Sequence, residues 1–308
     1  MKSKSFNFKE FNYLSDSQFP VACNDLSFSQ NKKKLLAVGI YKPSVKMFDM
    51  KTSIMKFERH LASDPIKVLP FQEDAEKFSI LRNDRTLEFH ITGGFYDKIK
   101  LPQSAREMAL NSIKAELYLG GAFKEVYRFS LDQGRFLKSI PCNGATSIAL
   151  SPSNGLICTA NENKLSFHDS RSNGEVFSRE YKNDILCCDI NSTGLNYSIG
   201  KEDGECIEYD FRSDQPQRSI LQSSLIKKIR YHNKNILFST NDSLFILPEA
   251  SETCDLVLAG VEINTFDFDG GVILVGGECS DIKGFYSEHM GVLPNWFVDV
   301  PKSTSSVC

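Results

Sequence analysis

Apolar positions along the chain come in short runs, broken by polar alternation and stopped by glycine, asparagine, aspartate or serine clusters. In "GIYKPSVKMFDM", residues 39–50, one apolar run closes on Gly39; another opens within a few residues and ends at Phe48-Asp49. Period-two alternation bounded by turn residues predicts strands joined by hairpins. In "CIEYDF" the alternation is complete, with Ile207, Tyr209 and Phe211 on one side and Glu208 and Asp210 on the other. No stretch sustains the i, i+3, i+4 pattern of an amphipathic helix.

The runs recur at a fixed period. An apolar residue just before a turn stands at Leu26, Val68, Met108, Ile148, Cys188, Ile229 and Phe266, in steps of 42, 40, 40, 40, 41 and 37 residues. The following run ends at Gly39, Leu81, Gly120, Ala160, Gly200, Thr240 and Gly276, with a small residue at six of these seven positions. A third set of alternating strands comes soon after: "VKMFDM", "TLEFHI", "EVYRFSL", "KLSFHDS", "CIEYDFR", "SLFILPE" and "DIKGFYS". Units of about 40 residues with several short strands each predict propeller blades, because a single small sheet buries its two faces only against neighbouring sheets. The expectation is an all-β, seven-bladed β-propeller of degenerate WD40 repeats. Where WD repeats carry Trp-Asp, this chain has Phe48-Asp49, "FHDSR" (167–171) and "YDFR" (209–212). The Asp-x-Arg spacing lets an aspartate at a strand end hold an arginine in the next turn. The small residues are assigned to strand tips near the narrow axis. Residues 1–300 are expected to form the propeller and 301–308 a short tail. The seventh blade lacks a fourth strand, and the N-terminal "FNFKEF" is preferred to the C-terminal "NWFVDV" as its source, since borrowing from the far end removes an exposed edge.

Composition changes little in this picture. The 308 residues are 41% hydrophobic and 24% charged, with 23 Phe and 10 Tyr, a content suited to strands. A net charge of -3 excludes a strongly basic nucleic-acid protein overall and leaves a local basic patch open. The nine cysteines are odd in number and contain no C-x-x-C; several lie in apolar runs, so buried free thiols and a reducing compartment are expected. The N-terminal residues lack a signal-like apolar core, and no apolar run approaches the ~18 residues of a membrane span, so a soluble intracellular protein is expected.

Candidate chemistry is sparse. The five histidines, His60, His90, His168, His232 and His289, fall in different units without metal-ligand spacing. "LGGAFKE" lacks the Lys-Ser/Thr of a phosphate loop, no G-x-S-x-G elbow occurs, and the acids of "GKEDGE" sit where a hairpin turn is expected. No catalytic residue, metal, cofactor or small-molecule substrate is therefore assigned. Two basic clusters stand out: "NKKKLL" in a blade-one hairpin, and Lys227, Lys228 and Arg230 at the start of blade six. Either offers RNA phosphates a contact, or is solvated loop and edge charge.

One series of motifs is more specific. Gly39, Tyr41, Lys42 and Pro43 match a Gly-x-Tyr-Lys-Pro pattern; Phe57, Arg59 and His60 match Phe-x-Arg-His; Asn83, Asp84 and Arg85 match Asn-Asp-Arg; Gly134, Arg135 and Phe136 match Gly-Arg-Phe. Gly291, Pro294 and Trp296 partly match a terminal Leu-Gly-Pro-x-Pro-x-Trp. In this order the series resembles the nucleolar WD-repeat family known as nucleolar protein ten in animals and essential nuclear protein two in yeast. The likeness runs from about Phe19 to Asp299. The family continues past the tryptophan into a charged, helical tail, so a compact version lacking that extension is expected. The resemblance implies a non-enzymatic factor of the nucleus and nucleolus, a scaffold in the small-subunit processome. Its partners would be other assembly proteins and pre-ribosomal RNA, met directly or indirectly, with no membrane. It also implies partner-binding roles for Tyr41, Lys42, Arg59, His60, Asn83, Asp84, Arg85, Arg135 and Trp296. Against it stand a generic adaptor, such as a ubiquitin-ligase substrate receptor or trafficking scaffold, which the same fold would serve, and an enzyme with a central-channel active site.

Overall fold

The computed structural model describes residues 6–171, 174–249, 251 and 253–299. Among these residues the chain forms 28 strands and one short 3-10 helix, Asn295–Asp299. The strands group into seven four-stranded sheets, and the fold is a seven-bladed β-propeller. Blade 1 runs as Ala22–Phe28, Lys34–Ile40, Ser44–Asp49 and Ile54–His60, in that order across the sheet. Blades 2 to 6 repeat the order over 65–100, 107–141, 147–180, 185–221 and 228–259.

The sequence of each strand matches its depth in the blade. Second and third strands are almost wholly buried, as in the apolar Val272–Gly277 and in Ser44–Asp49, where Ser44 and Lys46 are buried as well. Fourth strands such as Ile54–His60 alternate exposed with half-buried positions, because only one face meets protein. A register shift between third and fourth strands recurs in blades 1, 3, 4, 5 and 6, at Met47/Phe48, Val126/Arg128, Phe167/His168, Glu208/Tyr209 and Leu244/Phe245. Such bulges bend the outer strand and increase its twist.

The chain divides into two compact units, and in each the first strands of successive blades pack side by side. The unit built from 81–88 and 98–260 holds blades 3 to 6. Here Asp189, on the first strand of blade 5, accepts the Tyr231 amide of blade 6 at 2.8 Å, and the Ser147 hydroxyl of blade 4 accepts the Cys188 amide of blade 5 at 3.2 Å. In the unit that contains blades 7 and 1, Asp267 accepts the Phe28 amide at 2.9 Å, Asp25 accepts the Val68 amide at 3.1 Å, and the Thr265 hydroxyl donates to Asp25 at 3.0 Å. A first-strand carboxylate or hydroxyl thus satisfies a backbone amide of the next blade.

The small residues that end each second apolar run serve a purpose other than the one expected. Gly39, Gly120, Gly200 and Gly276 lie on second strands, not at innermost tips. A Cβ at Gly120 would lie 2.5 Å from the Ala145 carbonyl oxygen, one at Gly200 2.6 Å from Ile226, and one at Gly276 2.8 Å from the Cys23 sulfur. These three glycines make room for chain that leads into or belongs to the following blade, whereas Gly39 makes room for the Phe19 ring ahead of blade 1.

Blade 7 comprises Ile263–Asp269, Val272–Gly277, Lys283–Tyr286 and, outermost, Lys9–Phe11. The N-terminal strand pairs antiparallel with Lys283–Tyr286, setting Lys9 against Tyr286 and Phe11 against Gly284. Phe11 packs edge-on to Phe297 at 4.9 Å, within an apolar cluster that includes Phe19, Leu26, Val272, Tyr286 and Trp296. The C-terminal "NWFVD" is the 3-10 turn that covers this cluster, and it adds no strand. Cys23, Cys158, Cys187, Cys188 and Cys206 are buried free thiols, and burial pushes Cys206 up to about 12. Cys308 and the tail 301–308 lie outside the described residues. No described helix is long and apolar enough to cross a membrane.

Candidate functional site

The turn between the second and third strands of blade 1 presents Tyr41 and Lys42. Tyr41 adopts a left-handed backbone (φ 54°), an uncommon geometry for a bulky residue, and its ring is 73% exposed. Lys42 is exposed beside it. The Leu61 amide donates to the Pro43 carbonyl at 2.7 Å, and His60 pairs with Ser44 across the sheet, so the exposed His60 closes on the same turn. Arg59 lies alongside in a different role: its Nη1 donates to the Ile91 carbonyl at 2.7 Å, its Nη2 donates to the Thr92 carbonyl, and its guanidinium sits 4.0 Å from the Phe57 ring centre. Partial burial lowers its pKa. Arg59 therefore ties the outer strand of blade 1 to the 91–92 turn and steadies the platform under Tyr41, Lys42 and His60.

Asn83, Asp84 and Arg85 are drawn together by turn chemistry. Asp84 accepts the Thr86 amide at 3.2 Å and pairs with Arg82 at 2.8 Å. Arg85, at φ 66°, donates to the Pro102 carbonyl at 3.2 Å, and Asn83 accepts from Arg106 at 3.2 Å. Arg135 opens the fourth strand of blade 3 and donates through Nε to Gln133 at 2.7 Å. Trp296 is only 8% exposed; its indole N–H donates to Asp269 at 2.9 Å and its ring leans on Tyr13 at 5.3 Å. Burial raises the Asp269 pKa, and the indole bond opposes that rise. Of the motif residues, Trp296 thus offers a partner no surface, while Tyr41, Lys42 and His60 form one exposed cluster.

Lys228 and Arg230 fall on the first strand of blade 6, with Lys227 just before it, and not on an outer loop. Burial raises the Asp189 pKa while the charges of Arg230 and Lys228 draw it down, so both cations serve the carboxylate that caps the Tyr231 amide. Sequence reasoning missed this engagement, because the partner carboxylate is one full repeat away. The Asp-x-Arg expectation was legible: Arg171 binds Asp169 and Arg212 binds Asp210, each through Nε and Nη2. These guanidinium bonds hold both aspartates down at about 2. Among the described residues no three His, Cys, Asp or Glu side chains gather as a metal site.

Comparison with known proteins places this geometry in a group. The family model for "Nucleolar protein 10-like, N-terminal domain" matches residues 1–303. The ribosome biogenesis protein enp2 homolog of Schizosaccharomyces pombe is 28% identical over 92% of this chain and 50% of its own length. Ribosome biogenesis protein ENP2 of Saccharomyces cerevisiae is 28% identical over 66% of this chain and 30% of its own. Nucleolar protein 10 of Homo sapiens is 26% identical over 92% of this chain and 44% of its own. The chain thus spans about half, or less, of the length of these curated relatives.

Proposed function

The chain belongs to the nucleolar protein 10-like family, and on that premise we propose that it is a ribosome biogenesis factor of the nucleolus. In this reading it is a non-enzymatic docking propeller that joins other assembly proteins on the small-subunit processome and so supports maturation of small-subunit RNA. The family match across residues 1–303 carries the proposal, supported by relatives whose names are those of ribosome biogenesis and nucleolar proteins. The docking surface is assigned to Tyr41, Lys42 and His60. An aromatic ring and a cation on a rigid, hydrogen-bonded turn lose little conformational freedom on binding, which is how anchor residues work at interfaces.

The test is affinity purification of the tagged full chain from nucleolar extract. Precursor small-subunit RNA and its assembly proteins should come with it. Lys42→Glu combined with Tyr41→Gly should weaken that capture several-fold without loss of thermal stability, since glycine relieves the left-handed backbone at position 41. Recovery of ubiquitin-ligase subunits or vesicle-coat proteins in place of the precursor particle would overturn the reading.

A further inference from the structure

The fourth strand of blade 3, Arg135–Pro141, carries chemistry that docking at Tyr41 does not use. Phe136 is 39% exposed, and its ring is held edge-on by Phe129 at 5.2 Å and Tyr127 at 6.3 Å. Tyr127 in turn stacks on Phe123 at 4.7 Å, so the exposed ring stands on a rigid aromatic base. The register shift between Val126 and Arg128 sets both Lys138 and Ser139 opposite Tyr127. They border an open depression of about 590 Å³, whose walls also include Gln103, Phe123, Lys124 and Pro141.

The charge in this depression is unbalanced. Glu125, its acidic wall residue, already accepts the Ser139 hydroxyl at 2.5 Å and raises the Tyr127 pKa through its charge and hydrogen bond, second to burial. Among the described residues Lys124 and Lys138 have no carboxylate partner, and both are exposed. Arg135 is exposed as well, and only its Nε is engaged, by Gln133. Three residues along a strand cover roughly 10 Å, so Arg135 and Lys138 suit separate phosphates of one backbone. Cations that track a backbone beside an exposed ring suit an unpaired base, whereas duplex RNA would keep its bases stacked away from Phe136.

We propose that the outer strand of blade 3 and its depression bind single-stranded RNA, with Lys124, Lys138 and Arg135 on phosphates, Phe136 stacked on a base, and Gln103 and Ser139 as polar contacts. The proposal rests on the ribosome-assembly reading and names a surface where that function meets RNA directly. It also moves the RNA contact away from Lys227, Lys228 and Arg230, two of which lie under the influence of Asp189.

The full chain, mixed with a short fluorescein-labelled oligouridine, is titrated by fluorescence anisotropy between about 50 and 200 mM salt. The logarithm of affinity should fall with that of salt at a slope near -2, about -0.7 per single-strand phosphate contact. Lys124→Glu with Lys138→Glu should lower affinity at least tenfold and flatten the slope. Phe136→Ala should lower affinity about tenfold and leave the slope unchanged, because stacking releases no counterions. The melting temperature of the lysine variant should not move, since those side chains are exposed at a blade edge. Phe136→Ala loses its contacts with Phe129 and Tyr127 and is therefore read by its unchanged salt slope in chain that remains folded. Salt-insensitive or absent binding, variants that bind like the parent, equal competition by an acidic peptide, or loss of binding through Lys227→Glu with Lys228→Glu alone would each overturn the proposal. In every such case the parent chain would still recover precursor particles, whereas failure of the docking reading would abolish that recovery.

Discussion

At the residue scale, the local Asp-Arg pairs show how far a short motif can be read. Asp169 and Asp210 end third strands, and each holds the arginine two residues on through a bidentate bond that needs no distant partner. Their pKa values lie at about 2 against an ordinary 3.8, so their contribution is complete above pH 4 and is lost as pH falls towards 2. Thermal melts of Arg171→Ala with Arg212→Ala should therefore depend less steeply on pH across this window than those of the parent, with the difference largest near neutrality. Parallel curves would show that both pairs are screened by solvent. Trp296 marks the limit of such reading. A tryptophan in a motif looks the same whether it serves an interface or a core, and only the Asp269 and Tyr13 contacts assign it to packing.

At the element scale, strands and hairpins were legible because alternation and turn chemistry are local, and the 40-residue period followed from them. The contacts between blades were not. The carboxylate on Asp189 and the amide of Tyr231 are 42 residues apart, and neither stretch signals the other. The glycine rail was visible as a pattern, yet its cause at Gly120, Gly200 and Gly276 lies in chain next to or within the following blade. That cause can be measured. Gly200→Ala would press a methyl group within 2.6 Å of Ile226 and 2.7 Å of the Cys187 sulfur, and should cost about 1–3 kcal/mol in chemical denaturation. At Gly93 the same change meets only Ile91 at 3.9 Å and should be nearly neutral. Equal effects at the two positions would refute the close-approach explanation. The exposed cluster proposed for docking was legible in part: Tyr41, Lys42 and His60 stood in the motifs, but Arg59 looks identical to them in sequence and differs only in donating to the 91–92 carbonyls.

For the molecule as a whole, the seventh blade is the seam. Lys9–Phe11 supplies its outer strand, and Phe11 fills the space over Gly284 against Phe297 and Tyr286. Phe11→Ala should cost about 3–5 kcal/mol of global stability, read as a lower denaturant midpoint; an unchanged midpoint would mean that the strand is ornamental. The seam also bears on synthesis. Lys9–Phe11 leaves the ribosome well before Lys283–Tyr286, the edge that receives it. Residues 9–11 must then wait, unpaired, while six blades' worth of chain emerges. Closure of the ring is therefore a late step of folding: it comes only when Lys9–Phe11 meets the seventh blade.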